Sequence, residues 1–160
     1  MRLVIQRVKE AVVSINGQIT GKIGCGMLIF LGVAKADTEQ DADLLVQKVM
    51  ELRIFDDNAG KMNLSAADVG AQFLVVSQFT LLGNCDKGRR PSFDDAAPSD
   101  QAEEIYNYFV RQLKDKNVPV ETGRFRAMME VSLINDGPVT LILERVTSYK
   151  SQVTRTKDID

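Results

Sequence analysis

Polar side chains follow directly on a buried segment near the middle of the chain. Residues 73–76 have the apolar pattern of a buried strand, and the extended run continues through the tetrapeptide at 77–80. Because side chains alternate across a strand, we expect Gln78 and Thr80 to share one face, and Ser77 and Phe79 the other. Burying an amide or a hydroxyl without a partner costs about 1–3 kcal/mol for each group. The tetrapeptide is therefore either a strand end with internally paired polar groups or a site where these groups meet water or a ligand.

The chain contains no histidine, which restricts the chemistry that such a site can perform. Ser-His-Asp and Cys-His nucleophiles and histidine-based zinc sites are excluded. A covalent mechanism through Thr80 is disfavoured, because a hydroxyl nucleophile needs a neighbouring base. The two cysteines, Cys25 and Cys85, are too few for a multi-cysteine zinc site, and we expect no metal and no cofactor. Hydrolysis would then depend on backbone N–H groups, on a lysine or carboxylate with a shifted pKa, or on a reactive group of the substrate.

The polar loop at residues 83–99 is a second candidate site. Lys87-Gly88-Arg89-Arg90 is followed by Pro91-Ser92-Phe93, and cations beside an aromatic ring suit phosphate contact and base stacking. Aspartates flank these cations, and the net charge of −2 provides no overall basic field. A solvated loop and a binding site for a single-stranded RNA end both fit this composition.

A third feature is Asn135-Asp136-Gly137-Pro138, which separates two β-type runs at residues 131–134 and 139–143. The pattern is typical of a tight, hairpin-like reversal. Since X-Pro bonds in folded proteins are mostly trans, the residues alone favour a trans Gly137–Pro138 bond.

These segments must be positioned by a fold that the hydrophobic patterns predict to be α+β and antiparallel-rich, with two main helices. Residues 3–8 and 11–15 are strand-like, and Asn16-Gly17 predicts a hairpin after them. The apolar run at 27–31 predicts a central strand that is covered on both faces. Apolar residues at helical spacing predict one helix to about Arg53, with a capping box at Asp37-Thr38-Glu39-Gln40, and a second from a cap at Ser99 to about Asn117.

The 160 residues, 44% of them hydrophobic, are enough to bury one core. We expect a single domain over residues 1–145 and a peripheral tail over 146–160, where no core pattern is present. The longest apolar run is too short to cross a membrane, so we expect a cytoplasmic protein without membrane association.

Taken together, these motifs resemble the D-aminoacyl-tRNA deacylase family. The resemblance runs from Met1 to about Arg145. It is carried by Ser77-Gln78-Phe79-Thr80, the loop at 87–93, Asn135-Asp136-Gly137-Pro138-Val139-Thr140, Gln6-Arg7-Val8, Leu52-Arg53-Ile54-Phe55, Gly60-Lys61-Met62-Asn63 and Glu121-Thr122-Gly123-Arg124-Phe125.

The resemblance implies a barrel-like core and an enzyme that hydrolyses the ester bond of D-aminoacyl-tRNA and of glycyl-tRNA, as a chiral proofreading step. It implies a homodimer with two sites at the subunit interface. Each site would combine residues 77–80 of one subunit with a cis Gly137–Pro138 motif of the other, whose carbonyls would exclude an L side chain. Backbone N–H groups near Thr80 would stabilise the oxyanion, and the free hydroxyl on the terminal ribose would assist, which agrees with the absence of histidine.

The resemblance also implies roles for residues around these two motifs. Arg7 would hold the inserted motif in place with support from Asn135, and Met129 would lie near the amino-acid pocket. The residues expected beside the 3′-terminal adenosine of the tRNA are Lys87, Arg89, Arg90, Pro91, Ser92 and Phe93.

This chain departs from the family after Phe125, where the family commonly has glycine and then a polar residue. Here Arg126 and Met128 occur in that segment. Two other functions also fit the sequence: a dimer that binds RNA or DNA through the cationic loop without catalysis, and an esterase for small D-aminoacyl esters.

Overall fold

The first strand of the sheet, β1 (Arg2–Ile15), organises the fold. The computed structural model describes residues 1–145, and the predicted tail lies outside the described residues. Along one edge, β1 pairs antiparallel with β2 (Gln18–Ile23) through its second half and with β3 (Gly26–Gly32) through its first half. Along the other edge it pairs antiparallel with the 15-residue final strand, which is described below. Residues 3–8 and 11–15 therefore belong to one strand rather than two.

Beyond β3 the sheet becomes parallel. β3 pairs with β6 (Gln72–Ser77), which pairs with β7 (Val120–Thr122), both in parallel. Parallel neighbours require a crossover, and the two long helices lie in the crossovers. These helices are α1 (Glu39–Glu51) and α3 (Ser99–Lys114). The prediction of an α+β fold with two main helices is confirmed, although the sheet is mixed.

Three short elements lie between α1 and β6. The strands β4 (Phe55–Asp56) and β5 (Met62–Leu64) form a separate antiparallel pair, and the one-turn helix α2 (Ala66–Val69) follows. The sequence did not predict α2, because a single turn is too short to show a hydrophobic period.

The six-stranded sheet curls until its end strands touch. Gly21 in β2 lies so close to β7 that a Cβ atom there would be 2.7 Å from the carbonyl oxygen of Thr122. A cluster of buried side chains fills the inside of this nearly closed barrel, among them Val8, Leu28 and Leu74. The larger core, which includes the predicted apolar stripes of both helices, lies between the sheet and the helices. As predicted, β3 is covered on both faces.

The predicted turn and both predicted helix starts are confirmed, and each of the two helix caps is displaced by one residue. Asn16 and Gly17 have positive φ angles of 50° and 77°, as a tight hairpin turn requires. The cap of α1 is Thr38 rather than Asp37, because the backbone N–H and the hydroxyl of Thr38 both donate to Asp41 Oδ2, at 2.9 and 3.0 Å. Ser99 is the first residue of α3 rather than its cap.

The predicted reversal at residues 135–138 is wrong. Residues 130–144 form one continuous strand, β8 (Glu130–Glu144), and both of its halves pair with β1 in the same direction. Val8 is opposite Asn135 and Gln6 is opposite Thr140, so four residues of β8, 136–139, face the single residue Arg7. The Asn-Asp-Gly-Pro sequence therefore lies in an enlarged bulge, with four residues opposite one. The turn-forming residues are the same in both cases, and only pairing with β1 distinguishes a bulge from a hairpin.

The predicted extension of β6 through residues 77–80 is also wrong. The strand ends at Ser77, and a 3-10 helix occupies Phe79–Leu82. This helix packs against Gly32 at the end of β3, where a Cβ atom would clash with the Leu82 side chain and lie 3.0 Å from the Gln78 carbonyl oxygen. The absence of a side chain at Gly32 therefore allows the chain to turn at this position.

Replacing Gly32 by alanine should force the 3-10 helix away from β3. We expect Gly32→Ala to lower the free energy of unfolding by about 1–3 kcal/mol, the usual cost of overpacking, in urea titrations followed by circular dichroism. Gly24→Ala is the matched control, because the nearest atom to a Cβ there is 3.7 Å away. Equal stability of the two variants would contradict this role for Gly32.

Candidate functional site

The 3-10 helix after β6 places the side chains of Gln78 and Thr80 together. The Gln78 side-chain amide donates a hydrogen bond to the Thr80 hydroxyl oxygen. The two groups are neighbours as predicted, but a helical turn brings them together rather than the alternation of a strand. Ser77 and Gln78 are half-buried, whereas Phe79 and Thr80 are exposed.

The same turn leaves two backbone donors without a partner. The first N–H groups of a helix have no carbonyl within the helix to bind. Gln78 N donates to Leu31 O at 2.8 Å and Leu81 N to Gln78 O at 3.3 Å, but within residues 1–145 the N–H groups of Phe79 and Thr80 donate to nothing. Two adjacent free donors can hold an oxygen atom on which negative charge develops.

These donors belong to residues on the wall of a cavity of about 640 Å³. Residues 77–80, the first turns of α3, residues 125–129 and Val131 line it. Met129, which the resemblance places near the amino acid, lies on this wall, as do the two departures from the family pattern, Arg126 and Met128. The structure therefore gathers one half of the predicted site around a single space.

Among the residues of the described chain that line the cavity, Arg126 is the only ionisable one. The described part of the wall thus has neither a lysine nor a carboxylate that could serve as a base. Tyr106, behind the wall, donates to Val75 O at 2.9 Å, and burial raises the pKa of its phenol well above the ordinary value. It therefore stays protonated and connects α3 to β6. In residues 1–145 no group of His, Cys, Asp or Glu side chains could hold a metal ion.

The other half of the predicted site is the bulge of β8. The Arg7 side chain is buried, and its Nε atom lies 2.9 Å from Asp136 Oδ2, while Nη1 donates to Ile54 O at 2.6 Å. The Asn135 side-chain amide donates to Arg7 O at 2.9 Å and to Val139 O at 3.1 Å, which closes the base of the bulge.

Gly137 and Pro138 lie exposed at the outer end of this bulge, and the bond between them is cis. The cis geometry implied by the resemblance is confirmed, against the general preference for trans. Neither residue lines the cavity of its own chain. The described residues of one chain thus form two separate clusters, the cavity cluster and the bulge cluster.

The cationic loop folds back on itself beside the cavity. Asn84 and Ser92 exchange two backbone hydrogen bonds of 2.8 and 2.9 Å, and the ring of Phe93 packs edge-on against Phe79 at 5.1 Å between centroids. Pro91 is exposed, as are the three cations Lys87, Arg89 and Arg90, which form no ion pair within the described chain.

Sequence reasoning missed Gly32 and Asp136 as residues that shape the site. Gly32 lies in an apolar run, and nothing local distinguishes it from other strand glycines. Asp136 reads as a turn residue, and its bond to Arg7 depends on a register that the sequence does not reveal.

Comparisons with known proteins identify relatives over nearly all of the described chain. The family described as D-Tyr-tRNA(Tyr) deacylase matches residues 4–144. A protein of Thermosipho melanesiensis named D-aminoacyl-tRNA deacylase is 57% identical over 145 residues, which are 90% of this chain and 97% of that protein. A protein of Geobacter sulfurreducens with the same name is 56% identical over 144 residues, which are 90% of this chain and 95% of that protein.

Two solved structures share the fold. The structure named c-Myc DNA Unwinding Element Binding Protein has a TM-score of 0.86 and 40% identity, and the match covers 91% of this chain and 99% of that one. A probable eukaryotic D-amino acid tRNA deacylase has a TM-score of 0.75 at 16% identity, covering 89% of this chain and 97% of that one. The second likeness concerns the fold alone. None of the helices in residues 1–145 is long and apolar enough to cross a membrane.

Asn135 should be needed to hold the bulge in shape. We expect Asn135→Ala to lower the free energy of unfolding by about 1–2 kcal/mol, because two hydrogen bonds to backbone carbonyls are lost. Faster hydrogen exchange at residues 136–140 should accompany the loss. Ser132→Ala, an exposed position on the same strand whose side chain makes no hydrogen bond in the described chain, is the control and should leave both measurements unchanged. Normal exchange in Asn135→Ala would show that the bulge does not depend on this side chain.

Proposed function

The chain belongs to the D-aminoacyl-tRNA deacylase family, and on that premise we propose that it hydrolyses the ester bond of D-aminoacyl-tRNA to release a D-amino acid and free tRNA. The observation that carries this proposal is the pair of free N–H groups, of Phe79 and Thr80, at the wall of a cavity without a charged base. Such a site suits a reaction that needs an oxyanion to be stabilised and takes its remaining chemistry from the substrate.

In this reaction the carbonyl oxygen of the ester accepts hydrogen bonds from the N–H groups of Phe79 and Thr80. Attack by water converts that oxygen into an oxyanion, and one such donor lowers the activation barrier by about 2.7–4 kcal/mol. The hydrogen bond from Gln78 engages an oxygen lone pair of Thr80, so the Thr80 hydroxyl is oriented to donate rather than to attack. The ribose hydroxyl beside the ester assists the proton transfer, because the cavity wall offers no base.

Chirality is checked by a second copy of the chain. Gly137 and Pro138 of the partner subunit enter the cavity, where their carbonyls occupy the space that an L side chain would need. Glycyl-tRNA is also a substrate, because glycine has no side chain to exclude. Three features support this arrangement: the motif is exposed, it lies outside the cavity of its own chain, and Arg7 and Asn135 fix its base.

The last strand provides the surface for such a dimer. Only one edge of β8 is paired, with β1, in the described residues, and its outward face carries Ile134 and Ile142, which are 51% and 66% exposed. An exposed apolar strand with an open edge is a surface that a second copy can cover.

The tRNA end approaches along the cationic loop. Lys87, Arg89 and Arg90 contact phosphates, and the loop segment Pro91–Phe93 lies beside the terminal adenosine, where Phe93 already touches Phe79. This reaction acts on aminoacyl-tRNA, which places the protein in the cytoplasm with the translation apparatus.

A second candidate function is nucleic-acid binding without catalysis. The specific observation in its favour is the structural neighbour whose name describes binding to a DNA unwinding element. The same exposed cations would supply the contacts, and binding would weaken steeply with added salt while no ester is cleaved.

Matched D- and L-aminoacyl-tRNAs should distinguish these functions. We expect rapid deacylation of the D substrate and at least a hundredfold slower cleavage of its L counterpart, since a steric block of about 3 kcal/mol suffices for that ratio. A D substrate without the terminal 2′-hydroxyl should bind but react much more slowly. The measurement is release of labelled amino acid in single-turnover conditions.

Thr80→Ala is the control for the mechanism. It should keep measurable turnover, because the two N–H donors belong to the backbone, and the wild type should form no acyl-enzyme detectable by mass spectrometry. A trapped acyl-Thr80 species, or full-speed cleavage of the 2′-deoxy substrate, would overturn the substrate-assisted mechanism. Tight binding with no cleavage of either substrate would favour the second candidate function.

The protein should sediment as a dimer, and a charge on β8 should separate the subunits. We expect Ile142→Lys to give an inactive monomer in sedimentation velocity experiments, because it places an ammonium group in an apolar interface. Ile19→Lys on β2 is a matched control, since Ile19 is 63% exposed and lies on a different strand. A fully active monomer would exclude a site shared between two chains.

A further inference from the structure

Arg126 stands at the cavity in a backbone conformation that suits glycine. Its φ angle is 62°, in the left-handed region, and it lies in the segment that joins β7 to β8. A residue with a Cβ atom is disfavoured there relative to glycine. Strained positions of this kind concentrate at functional sites.

The contacts of Arg126 within the chain do not explain why an arginine occupies this position. Its side chain is 58% exposed, and its one ion pair within residues 1–145 is with Asp100, whose own side chain is 93% exposed, at 3.4 Å between Nη2 and Oδ1. Exposed ion pairs of this kind contribute little to stability. Only one of the five N–H donors of the guanidinium takes part in this contact.

The remaining donors are therefore available on the wall of the cavity. Arg126 is the only ionisable residue that lines this space in the described chain, and the substrate of the proposed reaction is a polyanion that must enter it. A guanidinium binds phosphate in a planar, two-point geometry that lysine cannot reproduce.

We propose that Arg126 is a substrate-binding residue that contacts a phosphodiester of the single-stranded acceptor end, next to the nucleotide whose ester is cleaved. This inference rests on the proposed deacylase function. It adds a substrate contact through Arg126, a residue at which this chain departs from the family pattern. The contact should contribute to capture of the tRNA and not to the chemical step, because the phosphodiester keeps its charge throughout the reaction.

Two substrates that share the reacting ester and the terminal adenosine, one with the rest of the tRNA and its phosphodiesters and one without, test this contact. One is D-aminoacyl-tRNA and the other is the D-aminoacyl ester of adenosine, which has no phosphate. We expect Arg126→Gln to lower kcat/KM for the tRNA roughly three- to tenfold with little change in kcat, because a partly exposed contact with a charge is lost. The value of kcat/KM for the adenosine ester should stay unchanged. The slope of log kcat/KM against log salt for the tRNA should become shallower by about 0.7, the value for one phosphate of a single strand.

Three further variants separate charge, geometry and backbone strain. Arg126→Lys should recover most of the salt slope but only part of kcat/KM. Arg111→Gln, which removes the same charge from the last turn of α3 away from the cavity, should leave both substrates unchanged. Arg126→Gly should lose the same affinity for tRNA as Arg126→Gln while its Tm rises by about 2–4 °C, because the left-handed conformation no longer carries a Cβ atom.

Other results would overturn the inference. An equal loss with both substrates would mean that Arg126 shapes the cavity wall, and no loss with either would mean that it makes no contact. Dissociation of the dimer in Arg126→Gln, seen by sedimentation at assay concentration, would assign the side chain to the subunit interface. Failure of the wild type to cleave either ester would overturn the deacylase function itself, whereas normal cleavage without an effect of Arg126 would overturn this inference alone.

Discussion

The buried guanidinium of Arg7 determines how the two longest strands fit together. A buried cation is costly unless it is paired, and a partner lost from such a pair costs about 3–5 kcal/mol. Asp136 of β8 and the carbonyl of Ile54 are its nearest partners, at 2.9 and 2.6 Å, and Asp56 lies 3.5 Å away. Where Asp136 reaches Arg7, four residues of β8 lie opposite one residue of β1. Two of these four, Gly137 and Pro138, are exposed at the outer end of the bulge. The exposed motif on which chiral selection is proposed to depend is thus a consequence of burying one charge.

In the cavity, unlike at Arg7, the polar groups proposed to act on the substrate are backbone N–H groups and not charged side chains. The carboxyl ends of the parallel strands β3 and β6 meet at one edge of the sheet, where Leu31 is opposite Ser77. Gly32 leaves room for the chain to turn there, and the turn frees two N–H groups instead of passing them along a ladder. Fixed dipoles of this kind need no proton to be gained or lost before they act, which suits a protein without histidine.

The same edge also explains the position of the segment that carries Arg126 and Met128. The crossover through α3 returns the chain to β7, and Tyr106 holds that helix against β6 through the carbonyl of Val75. The segment between β7 and β8 then lines the cavity and carries Arg126 and Met128. Since Arg126 and Met128 are exposed, these two side chains can change without disturbing the core. Differences between relatives in how they capture the tRNA end would be expected to concentrate there.

The sequence by itself determined the features that depend on neighbours along the chain. The hairpin at Asn16-Gly17, the buried stripes of the two long helices and the apolar β3 follow from periodicity and from the conformational preferences of single residues. The absence of histidine likewise limited the chemistry before any fold was known, and the combined motifs were enough to indicate the family.

Only the tertiary structure decided features that depend on partners distant in the chain. Residues 135–138 have the composition of a turn, and whether they reverse the chain or form a bulge depends on pairing with β1. The end of β6 at Ser77 depends on the space beside Gly32, which belongs to β3, a strand much earlier in the chain. Arg126 reads as an ordinary exposed arginine until the cavity is present beside it. Local preferences differ by about 1 kcal/mol per residue, and contacts between distant segments outweigh them.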